Sequence, residues 1–325
     1  MNVEDYMARA PTFAVYDGFC KTKSVMDQHS RILVSVSGGS DSDDMVDVVE
    51  HLKPGSGCEV DYVWFNTGIE MDATKAHIRY LKGRYGIEIH EESGKKKVAS
   101  VGYPFYSKQF SEYIERLQKH NFKWEDKPFD VLYAEYPQCK AALRWWCNNW
   151  KAEPHRPLQT EIASAAYLKE FMVRNPPTFS ISKKCCDLAK KSAGDLARKK
   201  YAAGIQFIGV RKAEGGARST NYKSCMSDGR HGLQYFPLFW WKSEDKALFE
   251  KCYGICHSEA YTLYGCRRTG CAGCPFAGRF EDELLMLNQF EPKLGNAVSH
   301  IFEPSYEYTR AYREFKREVT RLGCC

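Results

Sequence analysis

Arg31-Ile-Leu-Val-Ser-Val-Ser-Gly-Gly-Ser-Asp-Ser42 is the stretch that decides the fold. Its first seven residues are a short apolar, β-branched run of the kind that forms a strand buried on both faces of a parallel sheet. Glycines follow at once. From Asp41 the spacing becomes helical, with Met45, Val46, Val48, Val49 and Leu52 set among acids as far as the stop at Pro54-Gly55. Strand, glycine loop and helix in that order suit an anion for a physical reason. Successive N–H groups, unobstructed by side chains at Gly38 and Gly39, converge on one point, and the helix adds its positive end. Ser37 and Ser42 offer hydroxyl donors, while Asp41 would cap the helix or help hold Mg²⁺. A glycine turn with a capping serine or aspartate explains any one of these residues but not the whole string. No Gly-Lys-Ser or Gly-Lys-Thr follows, so the loop is not a Walker A motif.

Outward from this stretch, a second strand is expected at Val60–Phe65, a helix from about Thr74 to Tyr85, and a third strand at Ile87–His90. Strands alternating with helices imply right-handed crossovers and a parallel, doubly wound sheet. The crevice of such a sheet lies at the carboxyl ends of its strands, where Ser37 and the turn Asn66-Thr67-Gly68 would both fall. From about Phe105 to Phe179 the chain reads as helical and aromatic, with Ser111–His120 and Ile162–Arg174 the clearest helices before Pro176-Pro177. A further strand, Ile205–Gly209, then leads into an arginine- and glycine-rich loop, Val210–Ser219. The segment from Phe280 to Arg321 reads as helical and charged. The expected division is therefore 1–104, the first half of an α/β nucleotide-binding domain; 105–180, a helical insertion; 181–279, the rest of the α/β core with a cysteine-rich part; and 280–325, a helical tail.

The composition is that of a soluble globular protein: 325 residues, 43% hydrophobic and 27% charged, which excludes long disorder. Met1 to Arg9 lacks the apolar run of a secretory signal and no stretch reaches membrane-spanning length, so a cytoplasmic location and no membrane partner are expected. Lys and Arg outnumber Asp and Glu by 47 to 41. That surplus permits a nucleic-acid partner without requiring one.

Fourteen cysteines in a chain of this length, with no export signal, point to metal or redox chemistry rather than to a disulfide scaffold. Cys185-Cys186 and Cys271-x-x-Cys274 each put two sulfurs within reach of one metal centre. Four thiolates suit either Zn²⁺ or an iron–sulfur cluster; adjacent cysteines bend awkwardly around tetrahedral zinc but can span separate irons, which favours [4Fe–4S]. Cys147, Cys225 and Cys266 are alternative ligands. Lys183, Lys184, Arg267 and Arg268 flank the pairs and would lower thiolate pKa values. Cys324 and Cys325 end the chain.

The loop Ser37–Ser42 resembles that of the PP-loop ATP pyrophosphatases, and in particular the phosphoadenosine phosphosulfate reductase family. Phe65-Asn-Thr-Gly-Ile-Glu70 is similar to the family's Asp-Thr-Gly-x-Glu turn, with Asn66 for the aspartate. Gly209-Val-Arg-Lys-Ala-Glu214 with Arg218 resembles its Gly-x-Arg-x-x-Glu-Ser-x-x-Arg loop, and Pro237-Leu-Phe-Trp-Trp241 followed by Asp245 its Pro-Leu-x-x-Trp-x-x-x-Asp segment. Ser40 stands where many relatives place lysine, so another cation would have to face the phosphates. The resemblance, which runs from about residue 31 to about residue 290, implies an adenine nucleotide bound by Ser37, Gly38, Gly39, Ser40, Asp41, Ser42, Asn66, Thr67, Gly68, Glu70 and Arg211. It gives Asp41, Arg211 and Arg218 the catalytic roles, the two arginines as paired donors to a tetrahedral anion. Assimilatory adenylylsulfate reductases hold a [4Fe–4S] cluster with a similar cysteine set, which carries over to Cys185, Cys186, Cys271 and Cys274. Their C-terminal Glu-Cys-Gly motif is absent here.

Three functions are expected to compete. Enzymes that split ATP to AMP and pyrophosphate retain the full serine and glycine string, as this chain does, and their relatives adenylate an acceptor oxygen so that sulfur displaces AMP, including on nucleic acid. A sulfur or electron donor protein would then be a partner. The second function is a sulfonucleotide reductase releasing sulfite, and the third a nucleic-acid-binding accessory in which aromatic and basic residues of Leu143–Lys151 and Tyr306–Arg321 contact bases and phosphates.

Overall fold

Ile32, Leu33, Val34 and Val36 are all buried in the first strand, and they divide between two cores by the alternation of a pleated strand. Ile32, Val34 and Val36 join the larger core, while Leu33 joins Val63 and Ala197 on the opposite face. The strand is thus covered on both sides, which is why its sequence is a nearly unbroken apolar run. The structure, a computed structural model, describes residues 1–93, 98–149, 161–215, 222–229 and 232–322.

The chain divides into two units, Met1–Lys95 with Leu188–Ala272, and Lys96–Asp187 with Gly273–Cys325. The first holds a six-stranded sheet in the order β3-β2-β1-β4-β6-β5. Its strands are β1 (Arg31–Val36), β2 (Glu59–Asn66), β3 (Ile89–Ser93), β4 (Ile205–Ile208), β5 (Met226–Ser227) and β6 (Gln234–Tyr235). All neighbours run parallel except the β5–β6 pair. β1 pairs with β2 from Arg31 opposite Glu59 to Val36 opposite Trp64, and β2 continues two residues further to Asn66. Because β1 lies between β2 and β4, the chain reverses its direction of travel across the sheet there. That is the switch point at which such sheets open a crevice.

Four helices shape this unit's first half: α1 (Val3–Ala8), α2 (Phe13–Asp27), α3 (Ser40–Leu52) and α4 (Asp72–Tyr85). α2 starts at Thr12, whose Oγ1 accepts from Val15 N–H at 3.3 Å, and sends Val15, Phe19, Val25 and Met26 into the core. α4 ends on Gly86 at φ 63°, a left-handed cap, with Ile87 N–H on Lys82 O at 3.2 Å. Residues 87 and 88 belong to that cap, so the third strand starts at Ile89 rather than Ile87.

The second unit is helical, and its core is aromatic: Phe105, Phe110, Phe122, Trp124, Trp145, Trp146, Phe171 and Tyr312 lie together. Lys108–Gln118 is a helix capped by Ser107, whose Oγ accepts from Phe110 N–H. The helix expected over Ile162–Arg174 is broken into a 3₁₀ turn, Ile162–Ser164, and a helix, Leu168–Arg174. Tyr167 at φ 63° separates them, a conformation incompatible with helix. The segment after Phe280 forms three helices, Phe280–Phe290, Pro292–Ile301 and Glu303–Leu322, the second beginning on a proline that cannot continue the first. No helix among the described residues is long and apolar enough to cross a membrane.

Candidate nucleotide site

The loop leaving β1 turns at Gly38, φ 65°, and enters α3 with Gly39 in the N-cap position. A Cβ on Gly38 would stand 2.9 Å from Thr74 Cγ2, so both the backbone angle and the space require glycine. Ser42 and Asp43 N–H both donate to Gly39 O, at 2.8 and 3.0 Å. Gly39 N–H reaches Ser37 Oγ at 3.3 Å and Ser40 N–H reaches Tyr261 Oη at 3.2 Å, so hydroxyl oxygens accept from both amides. The amides of Gly38 and Asp41 meet no acceptor among the described residues. Ser42 Oγ accepts from Ser37 N–H at 3.0 Å and keeps its own hydrogen for a ligand.

Two cavities adjoin this loop. One, of about 270 Å³, has Val36, Trp64, Phe65, Ile208 and Tyr222 as apolar walls, with Ser35, Ser37, Glu70, Gln206, Gln234 and Thr269 as polar groups. The other, of about 260 Å³, is lined by Ser37, Gly39, Ser40, Asp41, Ser42 and Gly209, and by three arginines, Arg211, Arg267 and Arg268, with Tyr261 and Thr269 beside them. Ser37, Gly209 and Thr269 line both. Gly209 permits the junction: a Cβ there would lie 2.7 Å from Asp41 O.

The turn after β2 is built by Asn66, whose Oδ1 accepts from Gly68 N–H at 2.8 Å while its Nδ2 donates to Glu91 Oε1 at 2.7 Å. An amide can do both, which an aspartate could not. Thr67 Oγ1 donates to the buried Glu70 at 2.8 Å and lies 3.5 Å from Cys271 Sγ. Of this turn's residues, Glu70 lines the apolar-walled cavity. Arg211 donates from Nε to Asp41 Oδ1 at 2.9 Å, placing the two together; its Nη1 is buried without a partner among the described residues. Arg218 lies outside the described residues, as do Cys324 and Cys325.

The acids of α3 are buried at Asp41, Asp43, Asp44 and Asp47. Cations and phenols from distant sequence meet them. Lys246 Nζ lies 2.5 Å from Asp44 Oδ2, 2.5 Å from Glu250 and 3.4 Å from Asp41. His257 donates from Nδ1 to Asp43 Oδ2 at 2.8 Å and from Nε2 to Glu250 at 2.7 Å, so both nitrogens carry hydrogen. His77 Nε2 is 3.0 Å from Asp43, and Asp47 accepts from Tyr6 and Tyr85, both at 2.8 Å. Burial works against charge on His257, but its bonds to Asp43 and Glu250 prevail and raise it to about 9. Burial likewise opposes the Glu250 carboxylate, and His257 and Lys246 prevail, holding it down at about 2. Lys246 is kept charged by Asp44 and Asp41 against the same burial penalty. No motif announced this network. The available signal was the run of four acids among apolar residues, which needs compensating cations if it is inside.

The cysteines differ in setting. Cys58 and Cys139 are buried, whereas Cys185, Cys186, Cys271 and Cys274 are half-buried, as are Cys147, Cys225 and Cys266. Cys185 and Cys186 occupy a short helix, Lys184–Cys186, in the second unit; Cys271 is in the first unit and Cys274 in the second. Lys183 and Lys184 pair with Glu112 and Glu115. Arg267 and Arg268, expected to act on thiolates, line the arginine-bearing cavity.

A family model described as the phosphoadenosine phosphosulfate reductase domain matches residues 31–277. No curated protein matches the chain. Among solved structures, it is similar to a phosphoadenylyl-sulfate reductase from Candida auris in a phosphate complex, with 11% identity, 74% of this chain and 80% of that chain covered, and a TM-score of 0.40. It is also similar to the U34-tRNA thiolase NcsA from Methanococcus maripaludis with its [4Fe–4S] cluster, at 13% identity, coverage of 91% and 80%, and a TM-score of 0.37.

Proposed function

The chain belongs to the phosphoadenosine phosphosulfate reductase domain family, and from that premise we propose that it splits ATP into an adenylated intermediate and pyrophosphate for sulfur transfer, with nucleic acid as the acceptor. One observation carries this reading: an apolar-walled cavity and an arginine-lined cavity meet at Ser37, the first residue of the phosphate loop, with Gly209 and Thr269. Adenosine fits the first and a polyphosphate chain the second. A sulfonucleotide needs no chamber with three guanidinium groups beyond its α-phosphate.

In this reading the acceptor oxygen attacks the α-phosphorus, the bond to the β-phosphate oxygen breaks, and pyrophosphate leaves; sulfur then displaces AMP. Trp64, Phe65, Ile208 and Tyr222 hold the base and exclude water. The Gly38 and Asp41 amides and Ser42 Oγ orient the α-phosphate, and Arg211, fixed through Nε by Asp41, turns Nη1 to the oxygens that gain charge. Both described donors to Asp41 approach Oδ1, so the Asp41 carboxylate would keep an oxygen to help hold Mg²⁺, which would supply charge neutralisation to the phosphates. Arg218 is proposed to add a further donor. Cys185, Cys186, Cys271 and Cys274 fit thiolate ligands in that none is sealed in a core, and we assign them a [4Fe–4S] cluster, which would supply sulfur or electrons.

Asp41→Ala is expected to reduce pyrophosphate release from ATP by at least about 100-fold, measured with the full chain prepared without oxygen. Unchanged release removes the adenylation mechanism. Sulfite release from labelled adenylyl sulfate, with no pyrophosphate from ATP, would replace it with sulfonucleotide reduction. The same preparation should be brown and contain about four irons per chain; stoichiometric zinc would overturn the cluster.

A further inference from the structure

The phosphate loop contains no cation between Ser37 and Ser42, yet a triphosphate brings several negative charges. Lys246 cannot meet them: its ammonium is turned to Asp41, Asp44 and Glu250. Arg211 is partly committed, through Nε, to Asp41. The remaining cations lining the cavity among the described residues are Arg267 and Arg268. Arg268 has only a loose approach to Glu214 at 4.0 Å, and its side chain is 72% exposed. Exposed arginines are common, and a solvated surface pair would be the ordinary reading.

Two features favour a ligand instead. The arginines precede Thr269, and Thr269 is pinned to the phosphate loop: its N–H donates to Tyr261 Oη at 3.3 Å, and the same oxygen accepts from Ser40 N–H at 3.2 Å. The backbone carrying both guanidinium groups is therefore fixed before a ligand arrives, which reduces the ordering cost of binding. Independently, Arg211 is nine-tenths buried on the same cavity, with Nη1 lacking a partner among the described residues. A buried guanidinium nitrogen without an acceptor calls for an oxyanion.

We propose that Arg267 and Arg268 bind the outer two phosphates of a nucleoside triphosphate, giving the cysteine-bearing segment a direct hold on the pyrophosphate that leaves. This rests on the ATP-splitting reading above and deepens it: the pair sets a preference for triphosphates over monophosphates.

The test is equilibrium titration of the full chain, prepared without oxygen, with Mg²⁺ and with ATP, AMP or adenosine, comparing wild type with R267Q/R268Q and with R267K/R268K. Loss of two charge-assisted contacts predicts ATP binding weakened about ten- to hundredfold in the glutamine variant, with AMP and adenosine within about twofold of wild type. The lysine variant should keep most of the ATP affinity, since it keeps the charge. ATP affinity unchanged in the glutamine variant overturns the arginine assignment while leaving the ATP reading standing. So does an equal loss for all three ligands, which would mean a distorted site. Wild type that binds ATP no more tightly than AMP overturns the assignment and the ATP reading together.

Discussion

The first turns of α3 present two chemistries on opposite sides of one backbone. Toward the arginine-lined cavity they offer Gly39, the hydroxyl-bearing Ser40 and Ser42, and main-chain amides, of which that of Asp41 meets no acceptor among the described residues. Toward the interior they offer Asp43, Asp44 and Asp47, each met by a lysine, a histidine or a phenol, while Asp41, paired with Arg211, also borders the arginine-lined cavity. The outward side is small and uncommitted, so it can respond to a ligand. The inward side is paired with cations and phenols, although Asp43 Oδ1 and Asp44 Oδ1 have no hydrogen-bond partner among the described residues, so it can hold the loop still. A ligand-binding loop without a packed side chain of its own must borrow its rigidity, and here it borrows from buried charge.

The comparison breaks if the inward network can be dismantled cheaply. Lys246→Ala leaves Asp44 and Glu250 without their ammonium, and removing one member of a buried ionic set costs about 3–5 kcal/mol. Urea unfolding of the variant should show that loss; a change below about 1 kcal/mol would mean the carboxyls are simply neutral and the network idle.

His257 sharpens the same point through pH. Its folded-state value of about 9, against an ordinary 6.5, means that its contribution is complete below about pH 6.5 and is lost as pH rises through about 9. The midpoint of thermal unfolding should fall across that window in wild type and much less in His257→Gln. The difference is on the order of 1–2 kcal/mol, less than the full shift implies because solvent reaches part of the ring. Parallel curves for the two proteins would remove histidine from the account.

The smallest effect belongs to the outward side. Ser42→Ala removes the acceptor for Ser37 N–H and should cost about 1 kcal/mol in stability. Its effect on nucleotide binding should be larger than its effect on folding, since the lost hydroxyl is also a ligand donor. A variant that unfolds as readily as Lys246→Ala would erase the contrast between the two sides.

The loop, its strand and its helix were legible because their signals are local: the apolar, β-branched run in Ile32–Val36, glycines at 38 and 39, and periodicity from Met45 to Leu52. The parallel sheet followed from the alternation of elements. The break at Tyr167 was not legible, because a left-handed tyrosine has no composition signal. Nor were β5 and β6, two residues each, which are too short to show a period. The charge network was hidden for another reason. Asp44 and Lys246 are 202 positions apart, and a buried carboxylate looks like a surface one until its partner is found. The same distance concealed Tyr261 and Thr269 as companions of the loop, and Arg267 and Arg268 as lining residues of the cavity beside it.

Gly209 faces Asp41 main chain to main chain, with no side chain between to act as a cushion. Side-chain packing can absorb small displacements by changing rotamer; two peptide planes in contact cannot. Whatever pushes on the start of α3 must therefore also push on the strand end that carries Arg211. The two walls of the arginine-lined cavity behave as one jaw, and its gape is set by the sheet.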